Sequence, residues 1–207
     1  MKLYVTYTSP YARLARIVVI EKAIEDRVEI IEAKTRTLDS PYYQINPSGR
    51  VPYLVDDAGL GMEDSQLICA YLDSLDGKPR FHRPRSEPDW AYLRLEFMAR
   101  SMCDGISVWS REMHRPTSQR SPTVLAHEVA RSQRMADVFE GHVADPLMQG
   151  TPGMASLILA VLSRWRLSAA SVISPTAARS SLPGCALCRT SRQCRRRPHR
   201  KAQNRRS

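Results

Sequence analysis

Apolar and polar positions change period several times in the first third of the chain, which predicts alternating strands and helices. Residues 3–7 alternate and are rich in β-forming side chains, so they predict a strand. Ser9-Pro10 predicts a helix start, because Ser caps helices and Pro fits the first helical position. Apolar residues then recur at helical spacing to about residue 24. Residues 28–33 predict a second strand, parallel to the first, with a right-handed crossover.

The next segments predict a shorter helix and a hairpin. Residues 39–47 favour a short helical segment, and residues 51–55 favour a third strand. A turn at 56–59 allows residues 60–62 to return as a fourth strand. Asp64-Ser65 then opens a helix, so this part of the chain predicts the order β-α-β-α-β-β-α.

Beyond this α/β pattern the chain predicts helices alone. Residues that interrupt helices and strands predict a linker over residues 78–88. It lies between a first domain, 1–77, and a helical domain, 89–161. Long helical patterns cover 88–113 and 122–144, and no strand pattern follows them. The fold class predicted is an α/β domain followed by an all-α domain.

Composition excludes several classes of protein. Hydrophobic residues make up 43% and charged residues 25% of the 207 residues, which excludes a disordered chain, a collagen and a disulfide miniprotein. There is no run of 18 apolar residues, so we expect no membrane-spanning helix. The start turns polar too soon for a signal peptide, and five cysteines cannot all pair with one another. We therefore expect a cytoplasmic protein.

The net charge of +10 is unevenly distributed along the chain. Residues 162–207 contain eleven Arg, one Lys and no Asp or Glu. Residues 1–161 contain 19 basic and 21 acidic side chains, so they are close to neutral. A nearly neutral segment and a strongly basic segment therefore meet near Val161.

Four blocks of the sequence resemble the glutathione S-transferase family over roughly residues 1–160. The first three are Tyr7 to Arg13, Asn46 to Leu54, and Glu63-Asp64-Ser65 with Ile68 and Tyr71-Leu72; the fourth is the helix pair to about residue 145. Cys103-Asp104-Gly105-Ile106 with Arg111-Glu112 is similar to a bacterial branch. The resemblance implies a thioredoxin-like glutathione-binding domain followed by a helical domain.

Ser9 is the residue that the resemblance implies is catalytic. A glutathione thiol is mostly protonated at neutral pH, and its thiolate is the nucleophile. Lowering the thiol pKa by about two units is worth roughly 2.7 kcal/mol. The Ser9 hydroxyl and the positive end of the following helix could both stabilise the thiolate. The alternative is that Ser9 is simply a helix cap.

The resemblance also implies the glutathione-binding residues. Val51, before Pro52 in a cis bond, would pair its backbone with the cysteinyl part of glutathione, and Arg50 would meet a carboxylate. Ser65 would bind the γ-glutamyl carboxylate, with Asp64 near the ammonium, although the family more often has Glu there. The alternatives are an ordinary strand-start Pro and an ordinary capped helix.

A pocket for the second substrate is expected between the domains. The candidates for its apolar wall are Tyr11, Met102, Trp109 and Met113. Each of them could equally be core packing, which is the more common role of such residues.

The segment 162–207 has three competing explanations. A shifted reading frame would give this composition, and the pattern breaks in mid-helix rather than in a linker. A basic arm would bind nucleic acid with salt-sensitive affinity. Four possible zinc ligands, Cys185, Cys188, Cys194 and His199, have an uncommon spacing. We favour the shifted frame, and expect neither bound metal nor nucleic acid.

The sequence thus predicts an enzyme that conjugates the glutathione thiolate to small hydrophobic electrophiles, with glutathione as co-substrate. The family resemblance implies a role in detoxification and a homodimer, provided that the helical domain is intact. A non-catalytic glutathione-binding or regulatory protein on the same fold is the alternative. A glutaredoxin-like role would need a cysteine where Ser9 stands.

Overall fold

The computed structural model describes residues 1–81, 90–149 and 152–162. The first range contains a four-stranded sheet and three helices, in the order that the sequence predicts. The elements are β1 (Lys2–Val5), α1 (Pro10–Glu21), β2 (Glu29–Glu32), α2 (Tyr42–Ile45), β3 (Tyr53–Val55), β4 (Gly61–Glu63) and α3 (Ser65–Ser74).

The sheet is mixed, with strand order β2-β1-β3-β4. β1 pairs in parallel with β2 and antiparallel with β3, and β3 pairs antiparallel with β4. Leu3 and Val5 of β1 and Leu54 of β3 are fully buried, so one sheet face forms the core. This is the thioredoxin-like arrangement that the resemblance implies.

Several elements are shorter than their apolar pattern predicts. β1 ends at Val5 rather than at residue 7. β3 begins at Tyr53 because Pro52 has no N–H to donate to a sheet. α1 ends at Glu21 rather than near 24, and Ala23 then takes a left-handed conformation with φ of 51°.

The segment after α3 is held against the N-terminal domain by Asp73. Its buried carboxylate accepts hydrogen bonds from the backbone N–H groups of Arg80 (2.9 Å) and Phe81 (2.7 Å). It also lies 3.5 Å from Lys22 Nζ. Phe81 is buried, so the first part of the expected linker packs on the core. Residues 82–89 lie outside the described ranges.

The second half is helical where it is described. α4 (Trp90–Met113) and α5 (Pro122–Gly141) are joined by residues 114–121, which include a 3-10 helix at Thr117–Gln119. Residues 154–162 form a further helix, α6. Gly105 of α4 allows close packing, because a Cβ there would lie 2.6 Å from Glu128 Oε2 of α5. α5 ends at Gly141 rather than at residue 144.

α6 is central to the described helical core. Its buried residues are Met154, Ala155, Ser156, Leu157, Ile158, Val161 and Leu162. Within the described residues, no helix has the length and apolar character needed to cross a membrane. The frameshift, basic-arm and zinc explanations concern residues outside the described ranges, apart from Leu162.

Candidate active site

The register of the sheet brings three distant segments to one edge. Tyr4, near the end of β1, lies opposite Tyr53, the first residue of β3, and Tyr53 lies opposite Glu63, the last residue of β4. The loop after β1, the Val51-Pro52 segment before β3 and the start of α3 therefore meet. These are the segments that carry the predicted glutathione-binding residues.

Ser9 caps α1 in the position that the sequence predicts. It is extended, with φ of −72° and ψ of 124°, and its Oγ accepts a hydrogen bond from the Ala12 backbone N–H at 3.2 Å. A hydroxyl has one donor besides its acceptor lone pairs, so the cap leaves the Ser9 O–H hydrogen free to donate elsewhere. The positive end of the α1 dipole lies at the same point.

The segment Arg50-Val51-Pro52 is fixed by polar contacts to its backbone. The Arg50 carbonyl accepts hydrogen bonds from the Tyr42 hydroxyl and from Asn46 Nδ2, the latter at 3.0 Å. The Arg50 backbone N–H donates to Ser48 Oγ at 3.1 Å. The Val51–Pro52 bond is cis, as expected. The Arg50 side chain is exposed and can meet a ligand's carboxylate.

Asp64 and Ser65 form the N-terminus of α3. Asp64 is the N-cap, and its Oδ1 accepts a hydrogen bond from the Gln66 backbone N–H at 2.7 Å. Its φ of 79° lies in the left-handed region, which is uncommon for a residue with a side chain. Ser65 is buried and Asp64 is exposed. A helix N-terminus with a hydroxyl beside it favours a carboxylate ligand.

A groove of about 540 Å³ opens beside this edge, between the loops that follow β1 and β2. Five of its eight lining residues carry a hydroxyl, and the other three are one Lys, one Glu and one Ala. The lining residues are Thr6, Tyr7, Thr8, Glu32, Ala33, Lys34, Thr35 and Thr37. Ser9 is not among the lining residues, although it follows Thr8 directly in the chain.

The four candidates for the second-substrate pocket occupy different environments. Met102 and Trp109 are buried, with 7% and 9% of their surface exposed, which matches core packing. Met113 is partly exposed near the end of α4. Tyr11 is partly exposed, and its hydroxyl donates a hydrogen bond to Asp104 Oδ1 of α4. Of the four, Tyr11 lies nearest in sequence to Ser9.

Neither described cysteine is suited to thiolate chemistry. Burial raises the pKa of Cys69 to about 12, and burial is also the main reason why the pKa of Cys103 is raised to about 12. Both are free thiols. Within residues 1–81, 90–149 and 152–162, no group of three His, Cys, Asp or Glu side chains could hold a metal ion. The possible zinc ligands lie outside those ranges.

Sequence reasoning missed three residues that support the site: Tyr42, Asn46 and Asp104. Tyr42 and Asn46 act on a backbone carbonyl, a contact that leaves no trace in residue spacing. The available signal was that Asn46 opens the resemblance block that ends at Leu54, and that Tyr42 lies four residues before it. Asp104 stands in a block that marked the family resemblance, but its partner is 93 residues away.

Comparisons with known proteins show which family the sequence matches. The family described as "Glutathione S-transferase, N-terminal domain" matches residues 3–80. An uncharacterized GST-like protein of Escherichia coli strain K12, YibF, is 33% identical over 162 residues, covering 77% of this chain and 79% of its own.

Solved structures show the same fold. A glutathione S-transferase from Methylobacillus flagellatus with glutathione bound has a TM-score of 0.69 at 24% identity, covering 80% of this chain and 83% of its own. A glutathione transferase family member from Pseudomonas fluorescens Pf-5, with bound glutathione, has a TM-score of 0.68 at 23% identity, covering 88% and 95% respectively. The sequence match, the sheet and the convergence of the three segments lead to one conclusion: this chain belongs to the glutathione S-transferase family.

Proposed function

We propose that this protein is a glutathione transferase that conjugates the glutathione thiolate to small hydrophobic electrophiles. The observation that carries the proposal is the placement of Ser9, at the N-terminus of α1 and with its hydroxyl hydrogen free to donate. The glutathione bound in two related structures of the same fold supports the choice of co-substrate.

Ser9 acts in the chemical step by stabilising the glutathione thiolate. Its O–H donates to the glutathione sulfur, and together with the α1 dipole it favours the thiolate, while the thiol proton leaves to solvent. The thiolate then attacks the electrophilic carbon, a C–S bond forms, and the leaving group departs with its electron pair. A pKa lowered by two units corresponds to roughly 2.7 kcal/mol.

The Val51-Pro52 segment and the start of α3 bind the rest of the glutathione molecule. The Val51 backbone pairs with the cysteinyl part, as an added strand does, in the position that Pro52 fixes. Ser65 and the N-terminus of α3 bind the γ-glutamyl carboxylate. Asp64 lies near the γ-glutamyl ammonium, and Arg50 meets the remaining carboxylate. We propose that the protein acts in the cytoplasm, as a homodimer and in detoxification.

The Ser9 hydroxyl gives the decisive test. We expect Ser9→Ala to raise the thiol pKa of bound glutathione and to cut conjugation of a chlorodinitrobenzene substrate by about 10²-fold, because a positioned donor is lost. Glutathione affinity should stay nearly unchanged. Thiolate absorbance as a function of pH measures the thiol pKa, and steady-state kinetics measures the rate of conjugation.

Controls separate this donor from the helix cap. Ser9→Gly also removes the hydroxyl but costs only a few tenths of a kcal/mol as a cap, so it should lose activity while keeping stability. Thr123→Ala removes an exposed hydroxyl of α5, outside the predicted site, and should change neither quantity. If Ser9→Ala turns over as fast as the parent, the catalytic assignment is wrong.

A non-catalytic glutathione-binding protein is the second candidate. The observation that favours it is the hydrogen bond that Ser9 Oγ accepts from Ala12, which shows a capping role without any ligand. Calorimetric binding of glutathione with no turnover of several unrelated electrophiles would select this candidate.

A further inference from the structure

A polar contact across the domain boundary lies within one helical turn of Ser9. The Tyr11 hydroxyl on α1 donates a hydrogen bond to Asp104 Oδ1 on α4. Burial is the main reason why the pKa of Tyr11 is raised, and the proximity of Cys103 and Asp104 raises it further. The phenol therefore stays protonated and remains a donor at every physiological pH.

The first turns of α1 pack against α4 and α6 beside this contact. The crevice between them measures only about 10 Å³, and its lining residues are Pro10, Tyr11, Leu14, Arg100, Cys103, Ile158 and Val161. Because that space is no larger than one water molecule, the three helices are in contact here, and the Tyr11–Asp104 hydrogen bond adds a directional constraint to that packing.

The far end of α1 is anchored separately. Lys22 Nζ lies 2.9 Å from Asp76 Oδ1 and 3.5 Å from Asp73 Oδ1, and Glu21 lies 3.5 Å from Arg80. These contacts stay inside the N-terminal domain and are about three helical turns from Ser9. The Tyr11–Asp104 bond therefore acts on the opposite end of the helix, where Ala12 and Leu14 are buried in the core.

We propose that Asp104 is a positioning residue: by accepting the Tyr11 hydrogen bond it fixes the first turn of α1, and with it the direction of the Ser9 hydroxyl. The role rests on the proposed function, because Ser9 has to be placed against a glutathione sulfur. A misplacement of about 1 Å is enough to cost on the order of 10²-fold in rate.

Hydrogen exchange of the full-length protein tests the positioning directly. In Asp104→Ala and in Tyr11→Phe, we expect the amides of Ser9 and of residues 11–14 to exchange about three- to tenfold faster, the range implied by the loss of one ordinary hydrogen bond. Amides of α3 should be unchanged, which excludes general destabilisation. The double variant should be no faster than either single variant, because both remove the same bond.

Two further variants complete the design. Asp104→Asn keeps an oxygen that can accept the Tyr11 hydrogen bond, so its amides should exchange as slowly as those of the parent. If the negative charge of Asp104 were what matters, exchange in Asp104→Asn would be as fast as in Asp104→Ala. Asp137→Ala removes an exposed carboxylate of α5 that accepts a hydrogen bond from Gln133 Nε2 at 2.9 Å, so it is a matched control expected to leave residues 9–14 unaffected. Parent-like exchange in both Asp104→Ala and Tyr11→Phe would overturn the proposal.

The thiol pKa of bound glutathione distinguishes the two proposals. If the proposed function and the positioning role are both right, Tyr11→Phe and Asp104→Ala raise this thiol pKa, as Ser9→Ala does. Conjugation by each of the two variants then falls about tenfold. If Ser9→Ala leaves it unchanged, the proposed function fails, and the exchange rates still decide the role of Asp104. If Ser9→Ala raises it and the two other variants do not, the positioning role is wrong.

Discussion

Burial decides what the two described thiols can do. Cys69 is fully buried in α3, and Cys103 is 5% exposed in α4. Their pKa values are raised to about 12, because a thiolate would lose its hydration in these positions. At neutral pH both side chains are small apolar groups rather than nucleophiles.

The raised pKa values predict slow thiol labelling. In the native protein at pH 8, Cys69 and Cys103 should react with a maleimide or disulfide reagent far more slowly than after unfolding in urea. Because both groups are protonated below about pH 12, the rate should keep rising with pH up to at least pH 10. Mass spectrometry of the two labelled peptides measures each residue separately. Native labelling as fast as in urea would contradict this assignment.

Single residues were predictable where their role is local. Ser9 and Asp64 could be predicted as caps, because Ser and Asp accept backbone hydrogen bonds at helix starts, and both do so. The roles of Asp104 and Asp73 could not be predicted from the sequence, because Asp104 contacts a distant side chain and Asp73 contacts the backbone of a later segment. No local pattern encodes such contacts.

At the scale of elements, the start of α6 depends on a close approach. The Tyr92 hydroxyl on α4 accepts a hydrogen bond from the Met154 backbone N–H at 2.8 Å. A Cβ at Gly153 would lie 2.0 Å from that hydroxyl. The contact joins the beginnings of α4 and α6, and only a glycine fits there without movement.

This close approach predicts a destabilising substitution with a matched control. Gly153→Ala should lower the free energy of unfolding by about 1–3 kcal/mol, because the new methyl group forces Tyr92 off its hydrogen bond. Gly141→Ala, where nothing lies within 4 Å, should be neutral or stabilising by up to about 1 kcal/mol. Urea unfolding followed by circular dichroism measures both. Equal effects of the two substitutions would contradict the packing argument.

Element order was predictable, but element ends were less so. The change from period 2 to helical spacing indicated every strand and helix of the first domain. The ends differ because Pro52 cannot donate to a neighbouring strand and because Ala23 turns left-handed after α1. Apolar residues outside an element still pack on the core, as Ile24 and Phe81 do, so apolar periodicity overestimates the length of an element.

At the scale of the whole molecule, the described helices leave large apolar side chains on the surface. The exposed fractions are 73% for Trp90, 49% for Phe97, 42% for Val129 and 38% for Val138. The sequence of residues 162–207 shows no sustained helical period that would predict helices to cover them. Uncovered apolar surface of this kind favours association.

We therefore predict low stability or aggregation for this exact chain. Size-exclusion chromatography with light scattering should show heterogeneous species, and thermal unfolding should be broad or begin early. A monodisperse dimer with a sharp transition near the usual 45–65 °C of mesophilic domains would contradict the prediction. Resequencing the gene from codon 150 decides the cause. A frame that continues α6 with acidic and aromatic residues would identify the basic segment as a shifted reading.

The strand register also sets the order in which the chain can become competent during synthesis. β1 leaves the ribosome before the other three strands, yet it lies in the interior of the sheet. It cannot complete its pairing until β3 emerges, and the first residue of β3 is 49 positions after Tyr4. The edge that gathers Ser9, Val51 and Ser65 is therefore incomplete until α3 has emerged. A ligand that needs all three segments recognises only a finished first domain, and it would bind no shorter nascent chain.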